Sequence, residues 1–490
     1  MKLKMSNLVF YDLETSGRGE NHKKTRNGQW DQILQVGAIL CDQNLVEKDR
    51  FEIKCNLNKT LIPNPSALLV NNLSMTTIRN TNNISSYRLI CDMLDKFREW
   101  GSAIYIGFNS IDFDEEFLRN SLFQNLHNPY FTQINGNKRA DALNIVRASS
   151  VFNPSCIKTL DVKKQFSLEN LAEANNIDHS NAHDAMADVE TTIDLCKIIK
   201  QKTPDFWSKS LETASKNDVT NYIQDRDILC HHEAYYGKVY TYATTHIGSY
   251  SNKNNAEINL FFDLKRDPQE LLDLNITELK HINSDSKTKF LRTRRFNRHP
   301  IFMDKEYAVS FPQYEAIGME ELYQRASIIK NSNDFKMKIL DWHQNESNDF
   351  EQQISQLDPF WEECLYSLGF ASNKDKMLME KFHAADWNQK PIISEEFEQE
   401  GYKYFAKKII YEYDPSLLDE QDRRSIDQDI SKRLTSSNTE KWLTIPEAFA
   451  AVDDLREKYN EDNDKLEFLD DYNDNLEEIF KQFESRLLTS

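Results

Sequence analysis

Apolar and polar positions along the chain change their period twice, and each change marks a new region. Residues 7–15 (NLVFYDLET) and 33–41 (ILQVGAILC) are apolar runs of strand length, and 45–54 alternates enough to predict a third strand. Their short connections predict an antiparallel meander. A helix is expected at 87–100, a fourth strand at 103–108 (AIYIGF) and a helix from about Asp114. Further helical stretches at 143–149 and 168–175 lead to 185–200, where Met186, Val189, Ile193 and Cys196 repeat on one stripe. Three strands followed by alternating helix and strand predict an α/β domain over roughly residues 1–200. Residues 202–204 break the pattern, and from about 228 to 298 strand-like runs recur (KVYTYATTHI, INLFFDL, KFLRTRRF). This predicts a small β-rich domain. After about Ser310 helical periodicity runs to the C-terminus, and no internal repeat is visible.

Composition narrows the class. With 490 residues, 39 % apolar and 11 % aromatic, the chain can build cores, which excludes global disorder. No apolar run approaches the ~20 residues of a membrane span. Acids arrive too early in MKLKMSNLVFYDLET for a secretory signal, so a soluble, cytoplasmic protein with no membrane contact is expected. The seven cysteines are scattered without a CxxC pair, which predicts reduced thiols. The net charge of −19 is uneven: residues 351–490 carry 33 acids against 17 bases, whereas residues 1–350 carry 46 against 43. Such a chain repels phosphate at long range, so any nucleic-acid contact needs a local basic groove.

Three groups of residues carry candidate chemistry. Asp12 and Glu14 stand two apart on the first strand, so both carboxylates point to one face. Their repulsion is relieved if a cation sits between them; read alone, they are equally acids on a solvated strand edge. Asp114, in GFNSIDFDEEF, lies where a loop turns into a helix, and is either a functional acid or a helix cap. His183 and Asp188, in HDAMAD, are about 140° apart on a helix. If the helix begins after His183, the imidazole can bend back toward Asp188 as a proton acceptor.

The order DxE, NxxxFD and HDAxAD resembles the DEDDh subclass of 3′→5′ exonucleases, with Asp12, Glu14, Asp114, His183 and Asp188 as the matching residues. The resemblance implies a ribonuclease-H-like α/β fold and four carboxylates holding two Mg²⁺ ions, with Mn²⁺ as a substitute. FYDLETSG, GFNSIDFDEEFLRNSLFQNLHNPY and ANNIDHSNAHDAMADVETTI are similar to the bacterial exodeoxyribonuclease I family, and RHPIFMDKEYA and ECLYSLGFASNKDKMLMEKF resemble its later segments. That family implies an exonuclease domain at 1–201, an SH3-like β-rich domain at 202–352 and a helical domain at 353–490. Together these would clamp single-stranded DNA and degrade it processively, 3′→5′, to 5′-mononucleotides in repair and recombination.

The implied roles put Asp12, Glu14 and Asp188 on the metal beside the nucleophile and Asp12 and Asp114 on the other. His183 would be the general base, and Glu14 would also touch the terminal nucleotide. Substrate contacts are implied for Arg119, Tyr130, Arg147 and Phe166. At Ser167 the family tends to carry a base, so this contact loses its charge unless Lys163 or Lys164 replaces it. The run from Lys287 to Arg298 is unusually basic, and alternation places Lys287, Lys289 and Arg295 on one strand face, Arg292 and Arg294 on the other. It is either a solvated edge or a cationic surface. The family's partner, the acidic tail of single-stranded-DNA-binding protein, makes Arg292, Arg294 and Arg295 candidates, beside an apolar pocket at Phe290 or Phe296. A monomer is expected. The competing readings are a DEDDh exoribonuclease or proofreading subunit, and a single-strand-binding scaffold without activity.

Overall fold

The computed structural model describes residues 7–17, 28–80, 83–179, 183–252, 256–351 and 359–488. β1 (Asn7–Thr15), β2 (Ile33–Cys41) and β3 (Glu47–Lys54) form the expected antiparallel meander. β4 (Ala103–Gly107) and β5 (Lys138–Asp141) extend it in parallel, giving the order β3-β2-β1-β4-β5. β1 is central and buried on both faces, which is why it reads as a near-continuous apolar run. β3 is an edge strand, and its alternation is that of a half-exposed surface.

Side-chain alternation along β1 assigns its two faces. Val9, Tyr11 and Leu13 pack beneath the helices Ser86–Glu99 and Asp114–Gln124. Leu8 and Phe10 point the other way, toward Ala142–Phe152 and Ala185–Lys202. Asp12 and Glu14 continue that second row, so the sheet aims them at the Ala185–Lys202 helix.

The second sheet is antiparallel throughout, with β6 (Leu229–Tyr235), β7 (Lys238–Ser251), β8 (Glu257–Asp263), β9 (Leu291–Arg294) and β10 (Phe302–Met303) in the order β10-β6-β7-β8-β9. Its apolar residues Cys230, Leu260 and Phe262 belong to the same buried core as Leu8 and Phe10. The first two regions are therefore welded rather than merely tethered. From Trp361 to Leu488 the chain is helical, and Phe382, Phe405, Leu469 and Tyr472 share a core with Ile62, Leu68 and Phe123 of the first region. The Tyr472 hydroxyl donates to the Pro63 carbonyl at 2.6 Å across that junction. The expected boundary between residues 352 and 353 lies outside the described residues. Among the described residues no helix is long and apolar enough to cross a membrane.

Three expectations need correction here. Lys287 and Lys289 precede β9 in a turn, so they share no strand face with Arg295. Arg292 and Arg294 are not a free cationic surface. Their side chains are only 11 % and 15 % exposed, and each is committed to acids of the same sheet. Arg292 Nη2 reaches Asp263 Oδ2 at 3.0 Å, and Arg294 Nη1 reaches Glu233 Oε1 at 2.5 Å. Phe290 is 0 % exposed and sealed in the core, whereas Phe296, 4 % exposed, serves a core and also borders an open cavity with Lys216, Tyr250 and Glu257. Arg295 remains exposed.

Candidate active site

Asp12, Glu14 and Asp188 each place a carboxylate oxygen within 4.8 Å of the others. The approach depends on a glycine. Asp12 pairs with Gly37 across the β1–β2 ladder. A Cβ on Gly37 would lie 2.7 Å from the Ala185 carbonyl carbon and the Met186 nitrogen. Only a residue without a side chain lets the start of the helix settle on the sheet here. Asp184 fixes that start, accepting from Met186 N and Ala187 N as the N-cap. Asp188 then faces β1 from the first turn.

Asp114 opens its own helix, and Phe113, not Asp114, occupies the cap position. Its Oδ1 accepts the Leu13 backbone N–H at 3.1 Å, which ties it to β1 between the other two acids of that strand. Its neighbour Glu115 is structural: it takes Arg139 at 2.7 Å, the Tyr11 hydroxyl at 3.0 Å and the Thr132 hydroxyl at 3.0 Å. Of the successive acids in DEE, one serves the site and the next braces the sheet.

Crowding leaves its mark on proton affinity. Burial first, and then the charges of Asp114, Glu14 and Asp188, raises Asp12 well above the carboxylate range. Burial, with Asp188 and Asp114 beside it, pushes Glu14 up to about 9. Burial pushes Asp114 up to about 8 despite the Leu13 amide. Burial likewise brings Asp188 to about 7 despite the His183 amide. Four acids that resist ionisation together make a site for cations.

His183 departs from expectation. It adopts a left-handed backbone with φ 64°, and its backbone N–H, not its ring, donates to Asp188 Oδ1 at 3.3 Å. The ring is 40 % exposed, with Nε2 3.5 Å from Glu169 Oε1. The imidazole beside Asp188 is that of His179, whose Nε2 lies 3.5 Å from Asp188 Oδ1 while Nδ1 bonds the Thr191 hydroxyl at 2.8 Å. Sequence reasoning missed His179, although it stands in the quoted segment IDHSNAHD, four residues before His183.

The implied substrate contacts divide. Arg147, with Asn144, His232, Arg294, Arg295 and Arg298, lines an open groove of about 490 Å³ between the two sheets' regions. Arg147 Nε is buried there without a hydrogen-bond partner among the described residues. Arg119 reaches Glu115 at 3.5 Å and lies 5.9 Å from the Tyr130 ring centroid. Tyr130 is half-buried, its ring 6.1 Å from that of Phe370, which is exposed. Phe166 packs against the main core. Ser167 is the N-cap of the Leu168–Asn175 helix, accepting from Asn170 N at 3.4 Å.

Residues 9–196 match the family model described as exonuclease, and residues 357–479 match that of the exonuclease I C-terminal domain. The exodeoxyribonuclease I of Buchnera aphidicola subsp. Acyrthosiphon pisum is 29 % identical over 280 residues, 55 % of this chain and 65 % of that protein. The chain thus spans just under two thirds of that curated relative. E. coli exonuclease I solved with a dA16 oligonucleotide superposes with a TM-score of 0.78 at 20 % identity, covering 97 % of this chain and 100 % of that one. A solved SSB/exonuclease I structure gives 0.76 at 19 % identity, over 97 % and 100 %. At these identities the structural likeness establishes the fold.

Proposed function

We propose that the chain is a member of the exonuclease I family, a reading supported by its two family-model matches, and that it removes 5′-mononucleotides processively from the 3′ end of single-stranded DNA, in repair and recombination. The observation that carries this reading is the meeting of Asp12, Glu14 and Asp188 within 4.8 Å, with Asp114 tied to the same strand.

Exonucleases of this kind use divalent metal ions, and the donors fit them: hard carboxylate oxygens, too crowded to ionise together without added positive charge. We assign two Mg²⁺, replaceable by Mn²⁺, one held by Asp12, Glu14 and Asp188 and one by Asp12 and Asp114. When bound, these ions supply charge stabilisation for the phosphoryl oxygens and lower the pKa of water. The chain's own residues do the rest. The Leu13 amide and the Asp184-capped helix hold Asp114 and Asp188 in place before substrate arrives. His183, its side chain 40 % exposed and oriented by Glu169, accepts the proton of the attacking water. Water oxygen bonds to phosphorus, the bond to the 3′-oxygen breaks, and no covalent enzyme intermediate forms.

The strand approaches along the arginine-lined groove, with Arg147 and Arg298 on phosphates and Tyr130 stacking on a base. Arg295 is the exposed member of the basic run, and we assign it to the acidic tail of single-stranded-DNA-binding protein. Seven free cysteines suit a cytoplasmic monomer. The test uses 5′-labelled strands after chelation, with and without Mg²⁺. Mg²⁺-dependent shortening with mononucleotide release supports the reading. Absence of release, or wild-type release by Asp12→Ala, overturns it. Faster release from an RNA strand would move the assignment to an exoribonuclease.

A further inference from the structure

A second cluster of metal-binding side chains lies away from the carboxylates, where the C-terminal helices meet the first region. Cys91 comes from the Ser86–Glu99 helix, His127 from the loop after Asp114–Gln124, and His383 from the Asn373–Ala384 helix. Each places one donor atom within 4.8 Å of the others. We propose that Cys91, His127 and His383 bind a zinc ion that pins the C-terminal helical region to the nuclease region, with the Tyr87 hydroxyl at the fourth position.

Spacing is the first argument. Cys91 Sγ and His127 Nε2 are 3.6 Å apart. Two donors on one tetrahedral zinc, with Zn–S ~2.3 Å and Zn–N ~2.05 Å, stand roughly 3.5 Å apart. Tautomer is the second. His383 Nε2 lies 3.0 Å from the Leu126 carbonyl oxygen, which only accepts, so Nε2 carries the hydrogen. Nδ1 therefore keeps its lone pair, 2.8 Å from the Tyr87 hydroxyl. A histidine that gives its far N–H to a backbone carbonyl holds its near nitrogen as an acceptor, here of the Tyr87 hydroxyl, and that is the tautomer in which a histidine ligates zinc. Tyr87 is one helical turn before Cys91, so its hydroxyl borders the same spot.

The two rings now stack at 3.8 Å with 4° between their planes. Parallel rings aim their lone pairs in parallel, so binding must tilt them, a motion within the broad χ2 range of histidine. The Lys390 ammonium, 3.5 Å from the Tyr87 hydroxyl, opposes a cation. Cys91 offsets it, because the thiol proton leaves to solvent and a thiolate remains. Sulfur and imidazole donors select zinc over the hard cations that the carboxylates would take. The proposal is thus independent of the nuclease reading.

That difference in softness makes the test clean. Full-length protein stripped by chelator is titrated with Co²⁺ and followed in the near-ultraviolet, where thiolate ligation gives a charge-transfer band that carboxylates cannot. The expected result is a band that saturates at one equivalent, survives in Asp12→Ala and is lost in Cys91→Ser. Zinc should bleach it and raise the unfolding temperature of the wild type. A folded wild-type protein with no thiolate band overturns the proposal whatever the variants do. A band unchanged in Cys91→Ser overturns it equally.

Discussion

Replacing Asp188 with Asn should make the metal-free protein more stable and the enzyme inactive. Burial, chiefly, with Glu169 and Asp184 nearby, raises Asp188 from its usual 3.8 to about 7. A carboxylate whose folded-state pKa is raised contributes stability that is present at low pH and lost as pH rises toward the folded pKa. The loss runs at about 1.4 kcal/mol per pH unit between roughly pH 4 and pH 7, then stops. Asn has the same shape, accepts the His183 N–H as Asp does, and never ionises. Its advantage should be about 0.5 kcal/mol near pH 4 and about 4 kcal/mol near pH 8. Thermal unfolding in chelator at both pH values reads this directly. Mg²⁺ should then stabilise the wild type more than the variant, because the variant lacks one ligand. Asp188→Asn unfolding at or below the wild-type temperature near pH 8 without metal would refute the electrostatic account of the site.

Three further variants separate scaffold from chemistry. Gly37→Ala drives a Cβ into the backbone of Ala185 and Met186, so it should cost ~1–3 kcal/mol by overpacking and lower activity by displacing Asp188, both readable by unfolding and turnover. Arg294→Ala leaves Glu233, 7 % exposed, without its closest cation and should cost roughly 3–5 kcal/mol, whereas Arg295→Ala should stay within about 0.5 kcal/mol. Similar losses in the two would contradict the buried pairing. His183→Ala should slow cleavage by roughly 10²–10⁴-fold while Mn²⁺ binding persists.

The strands and helices that organise the nuclease region were legible because their signals are local. β1 and β2 run from residue 7 to 15 and 33 to 41, as the apolar runs predict, and Leu168–Asn175 likewise. β5 was missed because four residues, Lys-Arg-Ala-Asp, carry no strand pattern. Arg139, Ala140 and Asp141 are buried because Arg139 meets Glu115 and Asp141 receives the amides of Asn109 and Ile111, contacts spanning 24 to 32 residues. β6 was missed for a related reason: its histidines look polar in sequence, yet His231 and His232 are 1 % and 6 % exposed.

The same distinction explains the site. Asp12 and Glu14 could be paired from sequence because period two alone puts them on one face. That Asp188 joins them depends on Gly37, 151 residues earlier, whose missing side chain has no meaning until the helix lies against it. The basic run misled for the converse reason. A string of arginines reads as surface because isolated charges avoid the interior, but Asp263 of the adjacent strand β8 and Glu233 of β6, farther along the sheet order, pair with them. Charge counted along the chain says how many ions there are; only the fold says which are already spent on each other. In this chain the spent ones include Arg292 and Arg294, whereas the four carboxylates keep raised proton affinities, because the Leu13 and His183 amides and Lys54 offset only part of their burial and mutual repulsion.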